Sequence, residues 1–163
     1  MLNVIDVASY VVYSYNKIYN RKIDEMKLHK LLYFLQREAI IVHGEPLFEE
    51  SFYGWKFGPV LKSIRRIYKE DRFKKKFDNS LIQKLKPIVD FVLRQYGMKD
   101  SWSLSRLTHG EYSWQKSRIG ILDNASGDRA IKVDDIQVDA QRVKIRRKVL
   151  ERLKAERIEN AYK

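Results

Sequence analysis

Apolar residues recur along most of this chain at three- and four-residue steps, the repeat of one helix face. The densest such run spans residues 24–43. Met26, Leu28, Leu31, Leu32, Leu35, Ala39 and Val42 make the stripe, and Tyr33, Phe34, Ile40 and Ile41 widen it until little polar circumference is left. A helix that apolar is expected at the centre of a fold, with neighbours on several sides. Asp24 suits an N-cap, Ile23 can reach Leu28 as a hydrophobic staple, and Gly44 followed by Pro46 supplies a stop.

The same reading predicts a helix over residues 4–19, capped by Asn3, and others over 59–69, 80–96, 101–108 and 112–117. Pro59 is expected at the first turn of its helix and Ser80 as the cap of the next. Pro87 should kink that helix or delay its start to about Lys86. Residues 47–57, LFEESFYGWKF, alternate imperfectly and suit a short strand or extended loop. Residues 120–130 are polar and turn-like, and a last helix is expected from about Asp139. The expected fold class is mainly α: a compact multi-helix domain around helix 24–43, with at most a small β element near 47–57. Residues 1–138 form the helical domain in this reading, and 139–163 a basic helix packed on it or extending from it.

Charge changes the picture most. The 163 residues hold 33 Lys and Arg against 21 Asp and Glu, a net charge of +12, which favours acidic partners, protein or nucleic acid. From Arg142 onward nine Lys and Arg face three Glu. The absence of cysteine removes disulfides and thiolate metal sites. No apolar run reaches membrane-spanning length, and the first residues lack the basic leader of a signal peptide. A cytoplasmic protein without membrane contact is the expectation.

Three blocks carry a resemblance. K-L-H-K-L-L-Y-F-L-Q (27–36), G-E-P-L-F-E-E-S-F-Y-G-W-K-F-G-P-V (44–60) and L-T-H-G-E-Y-S-W (107–114) follow one another in order. They resemble the Panacea domain, the SocA-like antitoxin family, whose pattern is similar to L-x-K-L-L-Y-F-x-Q, then G-x-P-L-F-x-E-x-F-x-A-W-x-Y-G-P-V, then L-S-x-x-T-H-x-E-x-x-W. Gly54 departs from it, standing where the family more often has alanine. The resemblance implies a binding protein, not an enzyme. It would neutralise a cognate toxin by direct contact, as an adaptor to a host protease, by occluding the toxin, or as a prophage-encoded anti-defence factor. The resemblance does not reach the last 25 or so residues.

The residues themselves offer little catalytic chemistry: no nucleophile motif, no phosphate-binding glycine loop, no H-E-x-x-H. His29 and His43 stand roughly 21 Å apart along one helix, too far to share a metal. Neither a metal nor a cofactor is expected. His109, with Glu111 and Trp114 near it, reads either as a partner-contacting or proton-transfer group or as a helix-end residue packed on Trp114. Tyr53, Trp55 and Phe57 crowd a turn-rich segment, divided between core packing and exposed interface anchors. An exposed strand edge there could also accept a partner strand. Tyr53, Trp55, Phe57, His109, Glu111 and Trp114 are therefore the candidate partner-binding residues. The basic tail has three readings: a solvated helix, an interaction helix with the stripe Ile145, Val149 and Leu153 for a groove or a second copy, and a nucleic-acid contact through Lys144, Arg146, Arg147 and Lys148. A basic nucleic-acid-binding phage or plasmid regulator is accordingly the alternative function.

Overall fold

The computed structural model describes all residues from Met1 to Lys163. Seven helices and one two-stranded hairpin follow in the order α1 (Val4–Tyr19), α2 (Glu25–His43), β1 (Tyr53–Trp55), β2 (Gly58–Val60), α3 (Lys62–Lys69), α4 (Asn79–Tyr96), α5 (Ser101–His109), α6 (Tyr112–Ser117) and α7 (Val133–Ala161). The fold is mainly α, and α2 is its axis. Every residue of α2 from Lys27 to Ile40 is buried, with α1, α4, α5, α7 and β2 packed around it. Its ends form as their residues dictate. Asp24 accepts from the Lys27 N–H at 2.8 Å, and Gly44 takes the left-handed conformation at φ +78° while donating to the Ile40 carbonyl.

Burial all round forces the polar residues of α2 to find partners inside the protein, because an unpaired buried polar group costs about 1–3 kcal/mol. Each one holds a different element. Lys27 Nζ donates to the Gly97 carbonyl after α4 (3.1 Å) and to the Tyr15 hydroxyl on α1 (3.2 Å). The His29 ring accepts at Nδ1 from the Leu61 N–H at 3.2 Å, so its proton sits on Nε2, turned toward Glu25. Gln36 donates to the Phe48 carbonyl and accepts from the Leu47 N–H, both at 2.8 Å. Glu38 takes a two-pronged ion pair from Arg147 of α7, at 2.8 and 2.9 Å. The most extensively buried helix is therefore also the one that ties the chain together by polar contacts.

Four local expectations are corrected. Pro59 lies in β2 and α3 starts three residues later: Gly58–Val60 pair antiparallel with Tyr53–Trp55, and the missing proline N–H costs the ladder nothing because the carbonyl of the opposite Gly54 accepts from Arg118 at 3.1 Å instead. Asp78, not Ser80, caps α4, accepting from the Leu81 N–H at 2.8 Å. Pro87 does not delay α4, which starts at Asn79, well before Lys86, and runs as one helix to Tyr96 with that proline inside it and exposed. At the chain's end α7 begins at Val133, ahead of Asp139. Asp134 and Asp135 lie in its first turn, where the helix dipole favours carboxylates, and Ile136, Ala140 and Val143 bury into the core. Beyond Arg147 every residue of α7 is exposed.

Lys30 is the most confined cation. It is 1% exposed, and burial lowers its amine to about 7. The unfolded chain keeps that proton to about pH 10, so between these values the unfolded state binds more protons and stability must rise with pH. Urea titrations from about pH 7 to 9 should show roughly 2 kcal/mol more of this rise in the natural protein than in Lys30→Met. Parallel pH profiles for the two proteins would refute it.

Candidate partner-binding surface

The aromatic segment folds as the β1–β2 hairpin, and its neighbours decide which rings face outward. Neither strand edge is open. Gly54 donates to the Arg129 carbonyl at 2.9 Å and Ile131 to the Phe52 carbonyl at 2.7 Å, so residues 129–131 cover β1. All of β2 is buried. The expectation of an edge strand free to accept a partner is thus overturned, because a segment distant in sequence already occupies it.

Each candidate aromatic has a distinct environment. The Tyr53 ring lies under the Lys62 ammonium, 3.9 Å from its centroid. Trp55 donates from Nε1 to Asp128 at 3.1 Å and is faced by the Arg65 guanidinium at 5.3 Å. Both are half-buried. Trp114 donates from its indole to the Trp55 carbonyl at 2.9 Å and stacks on His109 with centroids 4.1 Å apart. Burial lowers the His109 imidazole, and the nearby Lys30 charge adds to this; the ring braces the underside of the hairpin. Phe57 alone of the set projects, 43% exposed. It meets Trp102 of α5 edge-to-face at 5.3 Å, and Trp102 is itself 55% exposed.

Trp102 was not evident as a candidate in the sequence. It stands in a short serine-rich helix whose stripe does not include it, and only the packing of α5 against β2 brings it beside Phe57. Ser105, one turn on, donates to the Phe57 carbonyl at 2.8 Å and fixes the pair's geometry. Lys56 lies over the Phe57 ring at 5.1 Å, and the exposed Arg106 shares the outer face of α5 with Trp102 at a four-residue step. The result is two protruding rings with a cationic rim, on a hairpin and a helix that cannot shift independently.

Glu111 does not belong to this surface. It is drawn inward to the guanidinium of Arg37, whose other amine donates to the Tyr96 hydroxyl at 2.8 Å. Burial raises the Glu111 carboxyl, Arg37 opposes this, and the neighbouring Asp139 adds to it. Asp139 of α7 accepts from the Tyr112 and Ser113 N–H groups at 2.7 and 2.9 Å and from the Tyr33 hydroxyl at 3.0 Å. With its one proton engaged there, Tyr33 accepts from Ser113 Oγ at 2.8 Å. This network joins α2, α4, α6 and α7 (Arg37, Asp139 and Tyr96 gave no signal in sequence, their partners being 26 to 106 residues away). Tyr33 and Glu111, both in the resembling blocks, are its inner members.

In the basic tail Arg147 is held by Glu38 and lies over the Phe91 ring at 5.1 Å. Lys144, Arg146 and Lys148 are exposed, as is the stripe Ile145, Val149 and Leu153.

Gly54 shows why this chain departs from alanine there. A Cβ on Gly54 would lie 1.9 Å from Ser117 Oγ and 2.9 Å from its Cβ. Gly54→Ala should destabilise by about 1–3 kcal/mol, the scale of overpacking. Ser117→Gly in the same chain should recover part of that loss in a thermal-melt double-mutant cycle, and additive losses would contradict the steric account.

The fold is a small, mainly helical domain with Phe57 and Trp102 exposed side by side. The family model of the antitoxin SocA-like Panacea domain matches residues 28–115, more than half of the chain, and the protein belongs to that family. No curated protein and no solved structure matches it. The matched span runs from the first turn of α2 through the hairpin, α3, α4 and α5 into α6, and leaves out α1 and α7. No helix is long and apolar enough to cross a membrane.

Proposed function

We propose that this protein neutralises a cognate toxin by direct protein–protein contact, with Phe57 and Trp102 as the anchoring side chains. The observation that carries the reading is the exposed edge-to-face pair itself, 43% and 55% open to solvent and set on a braced hairpin and helix. Large aromatic rings kept in solvent at fixed positions are what a protein interface uses as hot spots. Lys56 and Arg106 beside them favour an acidic rim on the toxin and a binding rate that falls with salt. Tyr53 and Trp55 frame the site, while His109 and Trp114 support it from beneath. Glu111 acts through the fold, by keeping α6 against α2.

The protein works as a binder and carries out no reaction of its own. The His109 ring lies flat on Trp114, and the hydroxyl nearest to it, Ser105 Oγ at 3.5 Å, already donates to the Phe57 carbonyl. Occlusion of the toxin suits a rigid surface best; delivery to a protease and antagonism of host defence from a prophage are settings in which the same cytoplasmic contact would operate. The test is a pull-down of the tagged full chain from its native host, with and without nuclease. One stoichiometric protein partner that survives nuclease, and whose lone expression arrests growth, is the expected result. Recovery of nuclease-sensitive material alone would refute the proposal.

A further inference from the structure

A depression of about 720 Å³ opens between the end of α1, the α1–α2 connector and the loop after α3. Five cations converge on it, Lys17, Arg21, Lys22, Lys74 and Lys75, against one carboxylate, Asp71. Lys74 is tied to Asp6, and Arg21 donates from Nε to the Tyr15 hydroxyl at 3.2 Å. Lys17, Lys22 and Lys75 are exposed and have no carboxylate partner. A concave surface with unpaired charge of one sign concentrates potential and attracts anions.

Aromatic rings stand among these cations. Tyr13 is 42% exposed, with the Lys17 ammonium 5.8 Å from its centroid. Lys22 lies 5.3 Å from the Tyr68 ring, which is locked in place by donating its hydroxyl proton to the Ile23 carbonyl at 2.8 Å. Phe73 meets Tyr68 edge-on at 6.2 Å. Cations for phosphates, interleaved with rings for flat heterocycles, are the two requirements of nucleotide binding without base-specific readout. An acidic peptide would use the cations and leave the rings without a flat partner. The α7 tail, by contrast, is a convex helix whose single aromatic residue is Tyr162 near its end.

We propose that this depression binds nucleotide units, with phosphates at Lys17, Lys22 and Lys75 and a base stacked on Tyr13. A single-stranded nucleic acid and a free nucleoside triphosphate present the same chemistry. The site is separate from the Phe57–Trp102 surface and does not depend on toxin binding.

The test uses the full chain and a short fluorescent single-stranded RNA, read by anisotropy across a salt series, with ATP and inorganic tripolyphosphate as competitors. Binding should weaken about tenfold or more in Lys17→Gln/Lys22→Gln/Lys75→Gln, and its log–log salt slope should shrink by about 2. Tyr13→Ala should lose about fivefold or more at an unchanged slope. Lys144→Gln/Arg146→Gln/Lys148→Gln should bind as the natural protein does. All the replaced residues are exposed, and unchanged thermal melts will show that each variant is folded. Competition by ATP identifies a free nucleotide as ligand, and its failure identifies the strand; either result supports the site. Absence of RNA binding, equal competition by tripolyphosphate and ATP, or a loss in the tail variant as large as in the triple variant would overturn it.

Discussion

Arg37→Met is expected to lower the stability of the fold by about 3–5 kcal/mol, the cost of leaving a buried charge without its partner. Arg37 is 3% exposed and holds Glu111 on one side and Tyr96 on the other. Without the guanidinium, Glu111 stays buried beside Asp139 and Tyr33, and the like charges of the two carboxylates are no longer offset. The protein can respond by protonating Glu111, whose carboxyl burial already raises, or by releasing α6 from α2. Urea denaturation at neutral pH measures the loss. Glu111→Gln keeps the shape, removes the second carboxylate's charge and should be milder than Arg37→Met. A second comparison separates fold from contact: if Glu111 touched the toxin directly, Glu111→Gln would weaken binding with little change in stability. The structure places it where the stability effect must come first. An Arg37→Met protein as stable as the natural one would remove this network from the account of the fold.

Phe57→Ala and Trp102→Ala should have the opposite signature. Each ring is open to solvent and contributes little to the core, so thermal melts should move by no more than the equivalent of about 1 kcal/mol. Each should weaken toxin binding by roughly 2 kcal/mol or more, about thirtyfold, if the pair is the central anchor. The two rings touch, so their effects should not add: the double variant should lose less than the sum of the singles. Growth rescue in cells expressing the partner toxin reads the same effect without purified components. Tyr53 and Trp55, whose rings are engaged by Lys62, Arg65 and Asp128, should give smaller losses on alanine substitution. Full toxin binding by the Phe57→Ala/Trp102→Ala protein would exclude this surface.

The family blocks have two physical roles, which explains how they combine recognition in sequence with ambiguity about function. Lys27, Lys30, Tyr33 and Gln36 in the first block, and Glu111 in the third, are inward-facing and hold the hub together. Phe57 in the second is outward-facing. A motif records both kinds of constraint in the same letters, and spacing alone does not say which side of the protein a residue meets. Polar residues were the harder ones to assign. A buried lysine or glutamate is rare enough that such residues in sequence are first placed on the surface, yet α2 buries six of its charged and amide-bearing or imidazole side chains by pairing them with groups on other elements.

Local sequence by itself determined the helices that carry an apolar stripe and a cap, above all α2, whose Asp24 and Gly44 ends follow from interactions within a few residues. It determined the mainly α class for the same reason, and it identified the family through blocks read in order. Only the tertiary structure decided that residues 129–131 close the edge of β1, that Pro59 belongs to a strand, that Glu111 and Arg147 are engaged internally, and that Trp102 joins Phe57 at the surface. Each of these depends on residues far apart in the chain. Their energies come from burial and from pairing across elements, which exist once α2 is enclosed and which no local pattern of hydrophobic and polar residues encodes.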